Sequence, residues 1–335
     1  MRRRDSYSSR SPQRSSARSR SLRLLHLGAV VLTTCALATA CRGSASARTE
    51  PVQIRGNSLV LIDARSAKVI ADVPVGRDPT RIAYGQRAFW VVSPDAGIVV
   101  RVGVDSKAAR RFHIGKAPYD VAIGAGAVWI PDHDGRRLLR FDLESHALRE
   151  RDFGLPAISV GFGFRSVWLV LADGSLLRID PRALREERSI PDVTTAIEGS
   201  EPKLAFDRDS VWVMSPAEGS VAQVDPKSGI VERQLLIKPR GISAGGGSVW
   251  VAGNASAIWR VDDDGHAQRI PVGTQPQDVV ATSEGVWVAD YGDKTLVRLD
   301  PTSRRVRARI EFDHHPAAVA AGGGIVAVAM FGSPL

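Results

Sequence analysis

Short apolar runs, broken by turns rich in glycine, proline and aspartate, recur along the chain from about residue 56 to residue 332. The clearest is Gly285-Val286-Trp287-Val288-Ala289-Asp290, followed by Leu296-Val297-Arg298-Leu299-Asp300-Pro301. The runs are too short for helices and rich in Val, Ile, Leu and Trp, which predicts strands. Trp90, Trp129, Trp168, Trp212, Trp250 and Trp287 mark six copies at spacings of 39, 39, 44, 38 and 37. A seventh copy, Ile325–Ala329, carries Ala327 in the tryptophan slot. A proline precedes each copy: Pro79, Pro118, Pro156, Pro202, Pro239, Pro276 and Pro316. An Arg-x-Asp pattern follows, ending at Asp142, Asp180, Asp262 and Asp300, with Gln223-Val224-Asp225 and Leu61-Ile62-Asp63 as variants.

Each unit reads as four strands. In the second unit they are Tyr119–Ile123, Ala127–Ile130, Leu138–Asp142 and Ala147–Phe153. A repeat of about 40–45 residues with four strands is one propeller blade. Proline at a strand's first residue removes no needed ladder donor. Asp225-Pro226-Lys227-Ser228-Gly229 and Asp300-Pro301-Thr302-Ser303 are turns with Asp first and Pro second. The ends are half-units. Ser58–Asp63 and Lys68–Val75 match the two outer strands of a blade, and Ala317–Ala321 and Ile325–Met330 the two inner ones. Joined, they complete a seventh blade and close the ring without an open sheet edge. The expectation is an all-β, seven-bladed β-propeller of four-stranded antiparallel blades over residues 56–335.

Composition changes the picture mainly at the front. The chain carries 45 Lys and Arg, 36 Asp and Glu, and a net charge of +9. Its first 40 residues hold eight Arg and one acid, so 37 basic and 35 acidic residues remain beyond them. The nearly neutral remainder gives nucleic-acid binding no electrostatic support. Both cysteines, Cys35 and Cys41, precede the repeats, which leaves the propeller without a disulfide or a thiolate ligand.

Residues 1–23 are rich in Arg and Ser, and Leu24–Ala40 is apolar apart from His26 and several small polar residues. That length suits a secretory core segment better than a spanning helix. Residues 1–40 are therefore expected to be a signal peptide or membrane anchor, and residues 41–55 a flexible tether. Leu37-Ala38-Thr39-Ala40-Cys41 resembles a bacterial lipoprotein signal, which implies lipidation of Cys41. It departs from that pattern in having Ala38 where Leu is usual. Ala38-Thr39-Ala40 also suits an ordinary signal peptidase, and an uncleaved anchor is the third alternative. All three place the propeller outside the cytoplasm: on the outer surface of the membrane, in the periplasm or secreted.

Lys68-Val69-Ile70-Ala71-Asp72-Val73-Pro74-Val75-Gly76 with Pro79 resembles the YVTN-type repeat of bacterial propellers. So do Ser248-Val249-Trp250-Val251-Ala252 and Ile270-Pro271-Val272-Gly273. The wider resemblance, over residues 56–332, is to NHL-like and streptogramin-lyase-like seven-bladed propellers. It implies the fold. Streptogramin lyases carry a Trp-Phe-Thr-Glu motif and use His and Glu with magnesium. Here the tryptophans are followed by Val91-Val92-Ser93, Ile130-Pro131-Asp132, Leu169-Val170-Leu171, Val213-Met214-Ser215, Val251-Ala252-Gly253 and Val288-Ala289-Asp290, with no Glu in that slot. The lyase activity is not carried over.

The tryptophans are expected between blades and the Arg-x-Asp residues in structural turns. Gly241-Ile242-Ser243-Ala244-Gly245 matches a nucleophile pattern, but Ser243 aligns with Ala122 and Val280 inside a strand, and no helix follows. Asp262-Asp263-Asp264-Gly265 reads as a solvated turn. Function is expected where the repeats differ, in loops around the channel mouth. The binding-face candidates there are Arg81, Tyr119, Asp120, Asp132, His133, Glu198, Glu201, Lys203, Arg240, Gln277, Asp278, Asp290, Tyr291, His314 and His315. The long third interval places an extra Asp192–Glu201 segment as a lip over the mouth. No catalytic residue and no cofactor are assigned, although convergence of three or more of the Asp and His candidates would suit a divalent metal. The expectation is a monomeric, non-enzymatic scaffold that meets a protein, peptide, glycan or small ligand at the mouth and the membrane only through its N-terminal anchor. The alternative is a metal-dependent lyase or hydrolase with its site at the mouth.

Overall fold

The computed structural model describes residues 50–195, 201–254, 256–262 and 264–332. Its strands form seven four-stranded antiparallel sheets, each a blade. Blade 1 is Arg81–Gly85, Ala88–Ser93, Ile98–Gly103 and Ala109–Phe112, from channel to rim. Blade 2 is Ala122–Gly124, Ala127–Asp132, Arg137–Asp142 and Leu148–Asp152, and blade 3 is Ala157–Gly163, Ser166–Leu171, Leu176–Asp180 and Arg185–Ile190. Blade 4 is Lys203–Phe206, Val211–Ser215, Ser220–Val224 and Val231–Leu236, and blade 6 is Pro276–Thr282, Gly285–Asp290, Thr295–Leu299 and Val306–Glu311. Blade 5 is Pro239–Gly245, Ser248–Gly253, Ala257–Val261 and Ala267–Pro271. In the composite blade Pro316–Gly322 and Ile325–Met330 lie inside, and Ser58–Asp63 and Lys68–Pro74 outside. The junction is in continuous register, from Ser58 opposite Met330 to Asp63 opposite Ile325. Among the described residues, no helix is long and apolar enough to cross a membrane.

The core sits between the blades rather than within them. Each marker tryptophan is buried in a cluster shared with the next blade: Trp168 with Val211, Val213 and Val224, and Trp287 with Val60, Ile62 and Val328. The missing tryptophan at Ala327 is compensated from the opposite side. Phe89 stands where the other blades have valine, and it joins Ala327, Ala329 and Tyr84 in one cluster. Phe89 and Tyr84 thus fill part of the space that a tryptophan occupies at the other seams.

Blade 2 departs from the expected strand limits. Its innermost strand is only Ala122–Gly124, with Pro118 making an isolated bridge to Asp132. Asp120 lies at the break. Its Oδ1 accepts from the Val121 N–H, while Oδ2 accepts from Ser159 Oγ and the Val160 N–H of blade 3. At the front, Val52 pairs in parallel with Phe312, and the Ile54 N–H donates to Asp313 Oδ1, so residues 52 and 54 are hydrogen-bonded to the ring. Residues 41–49 of the anticipated tether, with Cys41, and the signal segment lie outside the described residues.

Candidate functional site

Apart from blade 2, the innermost strands start at the marker prolines or within two residues of them, and in several blades a residue just after the proline reaches the central channel. Blade 1 supplies Arg81, blade 2 Asp120, blade 4 Lys203 and blade 6 Asp278. All four line one chamber of about 300 Å³ walled by Val160, Ile242, Val279 and Val319. Arg81, Asp120 and Asp278 are only 5%, 7% and 5% exposed, so each requires a partner. Arg81 Nε lies 3.7 Å from Asp120 Oδ1, and its Nη2 lies 3.2 Å from Glu201 Oε2. Lys203 Nζ lies 2.9 Å from Asp278 Oδ1, whose second oxygen accepts from the Val319 N–H. Burial works against the charge on Arg81, but Glu201, Asp120 and Asp278 together hold its guanidinium above the ordinary arginine value.

Above this chamber is the mouth, a cavity of about 280 Å³ lined by Thr80, Arg81, Glu201, Lys203, Arg240, Gln277 and Phe331. Arg240 reaches it from blade 5. Its Nε donates to Asn254 Oδ1 at 2.8 Å and its Nη1 to Gln277 Oε1 at 3.2 Å. Both acceptors are neutral amides. The cavity is thus lined by three cations and one carboxylate.

Beside the mouth lies a wider recess of about 640 Å³, lined by Tyr119, Tyr291, Phe331, Asn57, Arg77, Asp78 and Asp95. His133 packs on Tyr119 with ring centres 5.4 Å apart, and its Nδ1 lies 3.0 Å from Asp134. His315 stacks on Tyr291 at 4.3 Å with its Nδ1 on the Tyr291 carbonyl. His314 Nδ1 lies 3.0 Å from Asp313 Oδ1. Asp132 and Asp290 are fully buried and hold backbone: Asp132 accepts from the Lys116 and Ala117 N–H groups and from Arg137, Asp290 from the Gln275 and Asp293 N–H groups.

The candidates therefore divide three ways. Arg81, Asp120, Glu201, Lys203, Arg240, Gln277 and Asp278 meet at the channel. Tyr119 and Tyr291 line the recess, with His133 and His315 behind them. Asp132, Asp290 and His314 serve the loops locally. Among the described residues, the grouping of three metal-type ligands is elsewhere, Asp262, Asp264 and His266 on an exposed turn of blade 5. Ser243 lies in the channel wall, its Oγ accepting from the Ala281 N–H. Of the anticipated lip, Val193 and Thr194 N–H groups are tied to the Gly174 carbonyl and Glu201 stands at the mouth, while Glu198 lies outside the described residues.

Sequence reasoning missed Asn57, Arg77, Asp78, Asp95, Asn254 and Phe331. Most flank the proline-marked positions instead of following them. Asn57 Oδ1 accepts from both Asp78 N–H and Gly332 N–H, tying the two halves of the composite blade to the loop leading into blade 1.

No family model matches the chain, and no curated relative matches it. Solved structures do match. Streptogramin B lyase is similar with a TM-score of 0.65 and 12% identity, over 82% of this chain and 98% of the lyase. Hydrazine synthase of Kuenenia stuttgartiensis gives 0.64 and 11%, over 76% and 95%. BamB from Moraxella catarrhalis gives 0.54 and 12%, over 79% and 89%. The chain has a streptogramin-lyase-like propeller fold. At such low identity the likeness reaches the fold alone, and what this propeller binds must be argued from its own side chains.

Proposed function

We propose that this is an exported propeller, lipid-anchored at Cys41, that acts as a non-enzymatic binding scaffold through its channel-mouth loops. The observation that carries the reading is the convergence of Arg81, Lys203, Arg240 and Gln277, from four blades, on one open cavity. Arg240 has only amide oxygens as acceptors, so it is the group best placed to receive a charged ligand. Charge-assisted hydrogen bonds to a carboxylate are stronger than those it makes now. The ligand therefore carries an anionic group, a carboxylate being the best match to the planar guanidinium. The channel carboxylates Asp120 and Asp278 are engaged by Arg81 and Lys203, which favours binding over the metal-dependent lyase or hydrolase reading.

The test is a thermal-shift series on the full chain in mild detergent with citrate, an alanine pentapeptide and its C-terminal amide. Carboxylate-bearing probes should raise the melting temperature, and Arg240→Ala should remove the rise. No rise with either carboxylate probe, or a rise equal in Arg240→Ala, would count against the site. A stoichiometric divalent ion, with a melt lowered by EDTA, would move the assignment to the metal-dependent enzyme.

A further inference from the structure

Across the second and third strands, each marker tryptophan faces one residue. In five blades that residue is arginine: Trp90 faces Arg101, Trp129 Arg140, Trp168 Arg178, Trp250 Arg260 and Trp287 Arg298. In blade 4 Trp212 faces Gln223. Where Ser begins the second strand, the arginine Nε donates to it: Arg178 to Ser166 at 3.0 Å and Arg260 to Ser248 at 2.9 Å. The guanidinium end then crosses the seam in two blades. Arg178 Nη1 donates to the Pro226 carbonyl of blade 4 at 3.0 Å, and Arg298 Nη1 to the Arg65 carbonyl of the composite blade at 3.1 Å. Arg140, Arg178 and Arg298 also lie over their tryptophan rings at 5.3–5.8 Å.

Gln223 reproduces only the first of these contacts, donating from Nε2 to Ser210 Oγ at 2.9 Å. Its side chain ends there, short of the position of a guanidinium. The seam between blades 4 and 5 is correspondingly open, as a groove of about 420 Å³ that reaches Trp212. A second departure coincides with the first. Trp129, Trp168 and Trp250 donate Nε1 to the carbonyls of Gly124, Gly163 and Gly245, but Trp212 donates to the carboxylate of Asp207 at 2.6 Å. Asp209, Asp225, Glu232 and Asp262 add four further carboxylates to the groove, with Arg208 as the cation among the described lining residues. Arg233, next to Glu232, packs instead against Gly265.

We propose that the groove between blades 4 and 5 is a guanidinium slot that takes an arginine side chain of a partner protein. The partner supplies in trans what blades 3 and 6 supply from their own chain. The chemistry is specific. A guanidinium offers several in-plane donors to the carboxylates and a flat face to Trp212. A lysine ammonium brings the charge without the plane, and citrulline the plane without the charge. The slot is built from turns joining first to second and third to fourth strands, at the opposite end of the blades from the channel mouth, so it does not depend on the ligand assigned there.

Trp212 is itself the reporter. The full chain, labelled with 15N at its tryptophan indoles and held in mild detergent, is titrated with arginine amide, lysine amide and citrulline amide. The Trp212 indole signal is identified by its loss in Trp212→Phe. Arginine amide should move that signal saturably, lysine amide should bind more weakly, and citrulline amide should leave the signal in place. Gln223→Arg, which refills the slot from within, should abolish the response. Glu232→Gln, on the exposed outer strand, should weaken it severalfold. The proposal is overturned by no saturable shift with arginine amide, by equal binding of lysine or citrulline amide, by a response that survives in Gln223→Arg, or by unchanged affinity in Glu232→Gln.

Discussion

Asp132 and Asp290 close the second strands of blades 2 and 6 in equivalent positions, yet they titrate in opposite senses. Burial raises both. Around Asp132 the Ala117 and Lys116 N–H groups and Arg137 outweigh burial, and its pKa lies below the ordinary carboxylate value. Asp290 keeps two N–H donors, but burial and the neighbouring Asp293 carboxylate push it up. The register explains the difference: Asp132 faces Arg137, whereas Asp290 faces Thr295 and leaves Oδ2 without a partner. The linkage signs are opposite. Asp132 contributes stability that is present above the ordinary carboxylate pKa and lost as pH falls through its lowered value. Asp290 favours its neutral form, so its contribution is present at low pH and lost as pH rises through its raised value. Urea unfolding should accordingly show Asp132→Asn losing about 1–3 kcal/mol at pH 7, the cost of leaving Arg137 without its charged acceptor. Asp290→Asn should gain on the wild type as pH rises from 4 to 7. Parallel pH profiles for the two variants would contradict this account.

At the scale of strands, closure rests on the pairing of Ser58–Asp63 with Ile325–Met330. Deleting residues 56–76 strips both outer strands from the composite blade and exposes the edge of Ile325–Met330. Leu59 and Leu61 also leave the cluster that holds Phe89 and Ala327. The deleted chain should lose its cooperative thermal transition by circular dichroism; an unchanged, cooperative melt would mean that the ring is not closed this way. This arrangement was legible in the sequence because tryptophan, proline and Arg-x-Asp repeat in one phase. The compensation of Ala327 by Phe89 was not, since it joins residues from opposite ends of the chain. Nor was the shortened strand of blade 2, where Asp120 accepts from Ser159, 39 residues away. The site divides along the same line. Position after the marker proline brought Arg81, Asp120, Lys203, Arg240, Gln277 and Asp278 to the channel, because the repeat itself fixes where that position points. Pairing could not be read: that Arg81 sits between Asp120 and Glu201, and Lys203 on Asp278, depends on rotamers across an open space.

The whole molecule separates its charge from its fold. Eight of the 45 basic residues fall in the first 40 positions, and the remainder is nearly balanced. A ring with so little net charge has no long-range attraction to an anionic membrane. Its own described residues include no membrane-spanning helix. In the reading proposed above, residence at a membrane runs through the N-terminal segment, by a lipid on Cys41. One acyl chain gives only marginal, reversible binding, so stable anchoring needs a second chain or another signal. The expected outcome is that wild-type protein sediments with membranes and that Cys41→Ser either appears in the soluble fraction or accumulates unprocessed at higher mass. The two forms separate on a gel after fractionation, and neither requires the ring to change. If Cys41→Ser sediments as the wild type does, with the same mass, anchoring does not run through that thiol, and the uncleaved segment 1–40 becomes the anchor.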